Sequence, residues 1–374
     1  MTMRPPADLG MPVDQIDTPA LLIDLDAFER NLKRMADAAA AAGVRLRPHA
    51  KTHKSPTIAL KQVALGAVGV CCQKVSEAEI LVAGGIADVL VSNQIVGMPK
   101  LRRLAALARQ ARISTCVDDV VHVDGLELAA SEAGAQIEVL VEVNMGGNRC
   151  GVEPGEPALA LAQRIAKSKH LRFAGLQAYH GSAQHKRTAA ERNAEIAQAA
   201  DRARRTRDLL VQHGLPCPAI TGAGTGTFML EAASGIWTEL QCGSYVFMDV
   251  DYARNLDDDG KPYQRFEHAL FVLSTVMSRP ADDRAVCDAG HKASSVDSGF
   301  PVVAGHDEAE YVRAADEHGL IRLKRPTNRL RIGDRIRLIP GHCDPTVNLH
   351  DWYVGVRADR VEALWPVAAR GALL

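Results

Sequence analysis

Eight short apolar runs separated by helical patterns constrain this chain more than any other feature. They cover residues 44–51, 68–72, 88–92, 112–117, 137–143, 173–178, 219–222 and 239–242. Each has the length of a strand rather than of a helix, and most are followed by apolar residues at three- and four-residue intervals. Residues 157–168 and 188–212 read as helices, and Ser76-Glu77-Ala78-Glu79 has the form of a capping box opening another. Strand–helix alternation of this kind predicts an α/β fold, with the count of a (β/α)8 TIM-like barrel. An open doubly wound sheet satisfies the same pattern and stays open at this point.

A different texture flanks that region. Residues 20–25 read as a strand, followed near Asp26 by a helix with Leu25, Phe28, Leu32 and Met35 on one stripe. Beyond Asn255 helical repeats become scarce. Residues 271–277, 284–288, 311–314, 321–323, 353–357 and 361–365 look like strands, and Leu330, Ile332, Ile336 and Leu338 alternate with arginines. This predicts a second, mainly antiparallel β domain, with the acidic run 257–260 before Pro262 as the linker.

Charge is spread along the chain and sums to −1, which gives no basic face for nucleic acid. No apolar run reaches membrane-spanning length, and residues 1–15 hold no secretory core. The eight cysteines, several inside apolar runs, have neither a disulfide-scaffold nor a CxxC spacing. A cytoplasmic enzyme fits these bounds.

Candidate chemistry starts in the first barrel strand. Arg45, Arg47, His49 and Lys51 alternate with Val44, Leu46 and Ala50, pointing four cationic or titratable groups to one face. Lys51, at the strand's C-terminal end, is where a barrel places reactive residues. Buried beside Arg47 and His49, its ammonium would be disfavoured and its amine freed for covalent chemistry. A salt-bridged barrel lysine is the plainer reading. Lys54 is the rival, expected to be solvated. Glu138, Glu142 and Asn144 share one face of the strand at 137–143, and the two carboxylates are candidate counter-charges for Arg45 and Arg47. That strand runs into the Gly-rich turn holding Arg149. Tyr179, His180 and His185 follow a later strand end. The glycine–threonine loop at 221–227 suits a phosphate, and Gly243-Ser244-Tyr245 could complete the cup. Near the far end His342 and Asp344, two apart, could hold a divalent ion, whereas His342 with Cys343 would favour zinc; a polar turn is the alternative.

Arg47-Pro48-His49-Ala50-Lys51, Gly147-Asn148-Arg149-Cys150-Gly151, Gln177-Ala178-Tyr179-His180-Gly181-Ser182, Thr221-Gly222-Ala223-Gly224-Thr225-Gly226 and Gly341-His342-Cys343-Asp344-Pro345-Thr346 occur in one order along the chain. Together they resemble the metal-activated D-threonine aldolases. That family includes 3-hydroxy-D-aspartate aldolases and belongs to the alanine racemase-like, fold type III pyridoxal phosphate enzymes. The resemblance implies a barrel over residues 26–254 and a β domain made of 1–25 plus 255–374. It implies a head-to-tail homodimer, each site capped by the partner's β domain.

By the same resemblance Lys51 carries the cofactor, Arg149 lies near its phenolic oxygen and Tyr179 beside its ring. Gly224, Thr225, Gly243 and Ser244 hold its phosphate. Gln241 falls where racemases of the group place an arginine against the pyridine nitrogen; a neutral partner there tempers the electron sink and disfavours racemisation. His342 and Asp344 match the metal pair, with manganese the preferred ion and magnesium or cobalt as alternatives. The related dehydratases place a cysteine two residues after the histidine, where this chain has Asp344, so the departure favours an aldolase. The implied reaction cleaves a D-β-hydroxy-α-amino acid, D-threonine or 3-hydroxy-D-aspartate, to glycine and an aldehyde. The base is either a metal-bound hydroxide or His185. A dehydratase, and after it a racemase, are the alternatives. The cation that would bind a charged β-substituent is open among Arg149, Lys54, His185 and His291.

Overall fold

The computed structural model describes residues 4–325 and 329–374. Residues 1–3 and 326–328, both within the expected β domain, lie outside the described residues. Strand β1 (Ala20–Asp24) leads into helix α1 (Leu25–Ala41), where the Asp24 carboxylate accepts from the Ala27 amide at 3.0 Å and caps the first turn. Strands then alternate with helices: β2 (Arg45–Leu46), α2 (Pro56–Ala64), β3 (Val70–Cys72), α3 (Val75–Ala83), β4 (Asp88–Gln94) and α4 (Met98–Leu107). Next come β5 (Arg112–Val117), α5 (Val120–Ala133), β6 (Ile137–Glu142), α6 (Glu156–Ala166), β7 (Leu171–Ala178) and α7 (Ala189–Gln212). The series ends with β8 (Ala219–Gly222), α8 (Phe228–Ala233), β9 (Glu239–Leu240) and the short α9 (Val250–Ala253).

These strands lie in the order β2-β9-β8-β7-β6-β5-β4-β3, and every neighbouring pair is parallel. The two end strands close on each other. Cys71 N–H donates to Pro48 O at 2.9 Å and Ala50 N–H to Cys71 O at 2.7 Å, with a parallel bridge between His49 and Cys71. Closure leaves no edge, so this is the (β/α)8 barrel and not the open sheet. Helix α3 starts one residue before Ser76. Glu77 reaches back to the amides of Gln73 (2.8 Å) and Lys74 (3.1 Å) as expected, but the Ser76 hydroxyl instead donates to Leu374 O at 2.8 Å.

The remaining strands are β10 (Leu270–Ala281), β11 (Arg284–Cys287), β12 (Val302–Val303), β13 (Ala309–Ala314), β14 (Gly319–Leu323) and β15 (Arg335–Ile339). After α10 (Cys343–Val347) come β16 (Trp352–Arg357) and β17 (Arg360–Pro366). They form a mainly antiparallel sheet into which β1 inserts, antiparallel to β10 and parallel to β16. The strand that opens the chain thus lies in the sheet that ends it. The hairpin between β16 and β17 turns at Ala358 and Asp359, whose φ values of 47° and 59° match the right-handed twist of the flanking strands. The expected strand around 330–338 is shorter than its alternation implied. Asp334 accepts the Arg331 amide at 2.8 Å and makes a turn, so Ile332 is left exposed outside the sheet.

Helix α1 packs at the junction of the two sheets, because its stripe of Phe28, Leu32 and Met35 is fully inward. The Phe28 ring lies 6.3 Å from Phe247 of the barrel side and 5.8 Å from Trp365 of β17. Phe28→Ala is expected to lower unfolding free energy by roughly 3–5 kcal/mol in urea titration; a loss below about 1 kcal/mol would show that this junction does not stabilise the fold.

Candidate active site

Beyond His49 the chain turns sharply: His53 N–H and Lys54 N–H both donate to Ala50 O, at 3.2 and 2.7 Å. That turn holds Lys51 at the C-terminal rim of the barrel. Its Nζ donates to Asp344 Oδ2 at 2.6 Å, and Asp344 lies in the first turn of α10 in the other sheet's chain segment. The Asp344 carboxylate holds the Lys51 amine well above the ordinary lysine range. Burial alone would raise Asp344, but the Lys51 ammonium and His342 outweigh it and hold the carboxyl well below the usual range. The expectation of a depressed lysine is therefore overturned: an anion from the other sheet, absent from the local sequence, faces it.

Arg45 and Arg47 are not neighbours of that amine. They line a cavity of 260 Å³ at the opposite end of the barrel, where strands begin, together with Asp88, Arg112, Glu138, Arg172 and Glu239. Arg47 pairs with Asp88 at 2.6 Å and with Glu239 at 2.8 Å, and Arg45 with Glu239 at 3.6 Å. Glu138 instead binds Arg112 and Arg172, and Glu142 accepts from Gln94 Nε2 at 2.6 Å. The expected counter-charges were thus wrong: Arg112 and Arg172 on the strands flanking β6 take Glu138, and Asp88 of β4 with Glu239 of β9 take Arg47. His49 alone of the three stays near Lys51. Burial, then the Lys51 charge, push it well below the usual imidazole range, and Gln73 (3.0 Å) and Ser92 (3.2 Å) meet its Nε2. Lys54 is buried rather than solvated, its ammonium 2.5 Å from Glu77.

A second cavity, of 80 Å³, lies at the rim and is lined by Lys51, Thr52, Arg149, Gln177, Tyr179, Gly224, Thr225, Gln241, Gly243 and Ser244. It brings together every residue expected to hold pyridoxal phosphate, and two observations test the fit. A Cβ at Gly224 would lie 2.5 Å from the Gln184 side chain and one at Gly243 2.5 Å from Thr52 Oγ1, so only glycine leaves the cup open. The Thr52 hydroxyl is buried there beside the Asp344 carboxylate and makes no close hydrogen bond among the described residues, which leaves a donor available to an anion. The Arg149 guanidinium stacks 5.5 Å above the Tyr179 ring. Gln241 exchanges hydrogen bonds with Gln177 at 2.8 and 3.0 Å and donates to Thr221 Oγ1 at 2.8 Å.

Beside it a cavity of 250 Å³ shares Arg149 and Tyr179 and adds Glu142, Asn148, Cys150 and His185. His185 Nδ1 is 2.6 Å from Asp251 Oδ2. His180 is buried and held by Glu195 at 3.0 Å, which fits a structural part. Of the four candidate cations only Arg149 and His185 line these cavities; His291 lines neither.

His342 Nδ1 is 2.8 Å from Asp297 Oδ2, which fixes its tautomer and leaves Nε2 for a ligand bond. Asp344 Oδ1 is buried and, apart from the nearby Thr52 hydroxyl, meets no polar partner among the described residues. Such a carboxylate oxygen beside an oriented imidazole fits a divalent ion with nitrogen and oxygen donors. No cluster of three or more His, Cys, Asp or Glu side chains suited to a metal stands among the described residues. Cys343, adjacent to both, is turned away, its Sγ 3.2 Å from Met248 O. Asp249, Asp251, Asp297, Gln184 and Thr52 were not found from the sequence. Nothing in their spacing connects Asp251 with His185, 66 positions away.

Residues 23–251 match the family model of the alanine racemase N-terminal domain, and 269–356 that of a putative serine dehydratase domain. The chain is 49% identical to a D-threonine aldolase of an Arthrobacter species, covering 99% of this chain and 97% of that one. It is 47% identical to a 3-hydroxy-D-aspartate aldolase of Paracoccus denitrificans, covering 98% and 95%. The crystal structure of a D-threonine aldolase from Filomicrobium marinum superposes with a TM-score of 0.97 at 53% identity, over the whole of both chains.

In α8, just after the glycine–threonine loop, Glu231 accepts from Thr227 Oγ1 at 2.7 Å while its other oxygen has no partner among the described residues. Burial pushes its carboxyl up to about 7, against which the Thr227 hydroxyl acts only weakly. From the ordinary value of 4.5 up to about 7 the folded chain binds a proton the unfolded chain lacks, so this group costs stability as pH rises through that window. Glu231→Gln is therefore expected to shrink the fall in Tm between pH 5 and pH 8. An unchanged fall would mean that Glu231 is ionised in the folded protein.

Proposed function

Because the chain belongs to the alanine racemase-fold family of D-threonine and 3-hydroxy-D-aspartate aldolases, we propose that its rim cavities perform that family's reaction with the residues described above. The protein is a carbon–carbon lyase that uses pyridoxal phosphate for retro-aldol cleavage. Within that frame Lys51 carries the cofactor. Gly224, Thr225, Gly243 and Ser244 bind its phosphate, Tyr179 and Arg149 flank its ring, and Gln241 faces its nitrogen. His342 and Asp344 hold a divalent ion, with manganese preferred over magnesium or cobalt.

The observation that carries this reading is the 2.6 Å contact between Lys51 and Asp344. That contact supports the reading, because a cofactor on Lys51 and a metal on Asp344 would then act on neighbouring atoms of one substrate. When bound, pyridoxal phosphate supplies the sink for the electron pair left on Cα, and the divalent ion supplies positive charge at the β-oxygen. Arg149, the cation common to both cavities, orients a substrate carboxylate. His185, half-exposed in the larger cavity, accepts the β-hydroxyl proton at Nε2. As the aldehyde carbonyl forms, the Cα–Cβ bond breaks and Cα takes up a proton to become glycine. The neutral amide of Gln241 does not hold the ring nitrogen protonated as a carboxylate would, which tempers the electron sink and disfavours free racemisation. The proposal extends to a cytoplasmic, head-to-tail homodimer whose partner β domain covers the larger cavity. Among the described residues no helix is long and apolar enough to cross a membrane.

Lys51→Ala is expected to abolish the visible absorbance of bound cofactor; an unchanged spectrum would remove Lys51 from the role. Chelation of the wild-type protein should stop formation of glycine and aldehyde while the absorbance persists. Full turnover in excess chelator, or release of ammonia and a keto acid, would contradict the metal-dependent aldolase. Relative kcat/KM for D-threonine and the D-3-hydroxyaspartates then identifies the preferred aldehyde.

A further inference from the structure

We propose that Asp251 is a positioning residue for this reaction, holding His185 in the tautomer whose free Nε2 lone pair faces the substrate cavity. The inference rests on the reading of His185 as the base.

The carboxylate of Asp251 is fully committed. Its Oδ2 meets His185 Nδ1 at 2.6 Å, and its Oδ1 accepts from Arg187 Nη2. Arg187 Nη1 further donates to Asp251 O at 2.7 Å and to Asn255 Oδ1 at 2.9 Å. Burial would raise the Asp251 carboxyl, but the bonds from His185 and Arg187 outweigh it and bring it down to about 2. At working pH it is an anion that can only accept hydrogen bonds. His185 Nδ1 must then carry the hydrogen. Nε2 has no partner among the described residues and, in the neutral ring, is left as a proton acceptor.

The position of Asp251 is fixed as firmly as its charge. It lies in α9, which the Asp249 carboxylate caps through the Tyr252 amide at 3.0 Å. The other Asp249 oxygen accepts the Cys343 amide at 3.1 Å, between His342 and Asp344. Val250 N–H donates to Pro340 O at 3.0 Å and Asp251 N–H to Gly341 O at 3.2 Å. One short turn thus grips both His185 and the chain segment bearing His342. The Tyr252 ring, 5.8 Å from the His185 ring, backs the imidazole from the cofactor side.

Asp251→Asn tests the assignment. Arg187 can only donate, so it claims the amide oxygen and turns the NH2 toward His185. That group forces Nδ1 to accept and moves the hydrogen to Nε2, which removes the base without removing the ring. The holoenzyme variant is expected to lose about 100-fold or more in kcat, by analogy with other wrong-tautomer substitutions, with KM and cofactor absorbance unchanged. In a His185→Asn background the same change should cost nothing further. A wild-type kcat for Asp251→Asn, alongside an inactive His185→Asn, would overturn the proposal. An active His185→Asn would instead remove the reading of His185 as base. Should Asp251→Asn fail to fold, nitrogen NMR of histidine-labelled wild-type protein decides. With the His185 signals assigned by their loss in His185→Asn, hydrogen on Nδ1 supports the proposal and hydrogen on Nε2 overturns it.

Discussion

A single ion pair joins residues 293 positions apart: Lys51 at the end of the first barrel strand and Asp344 from the other sheet's segment. Neither group is comfortable alone. A buried carboxylate needs cations, and a rim lysine beside His49 needs an anion. Asp344 has two oxygens, one turned to Lys51 and the other meeting no polar partner among the described residues but the nearby Thr52 hydroxyl. On the proposed reading, one carboxylate would serve both a cofactor-bearing Lys51 and a metal. That meeting depends on the placement of the second sheet, which depends in turn on β1 being inserted between β10 and β16.

The barrel interior supplies a second chain of dependence. Arg47 donates to Glu239, Glu239 accepts from Thr221, and Thr221 accepts from Gln241, which pairs with Gln177 under the cofactor cavity. The charges at the end where the strands begin are tolerated because Arg47, Asp88, Glu138 and Glu239 are each paired. In settling them the barrel also fixes which way the Gln241 amide points. The arginines of the first strand thus act on the site from below, through glutamate, threonine and amide, rather than by crowding the lysine.

Much of this was legible in the sequence because it is periodic or local. The strand–helix alternation gave the barrel, the loss of helical repeats after Asn255 gave the second sheet, and the glycine–threonine loop does line the rim cavity. What failed was pairing between distant segments. Glu138 and Glu142 looked like partners for Arg45 and Arg47 by face alone, yet strand order brings Asp88 and Glu239 there instead. Lys54 looked solvated by its place at a helix start, but a positive φ of 49° turns it inward onto Glu77. Asp251 and Asp297, which orient the two histidines of the site, carry no motif because orientation is a property of geometry and not of spacing.

The central claim is that cofactor lysine and metal pair share one small space. Crystals soaked with pyridoxal phosphate and Mn(II) test it directly, by anomalous diffraction at the metal edge. The account expects density continuous from Lys51 Nζ and one anomalous peak at about 2.2 Å from His342 Nε2 and an Asp344 oxygen. A peak elsewhere, or cofactor bound to a different lysine, would contradict it.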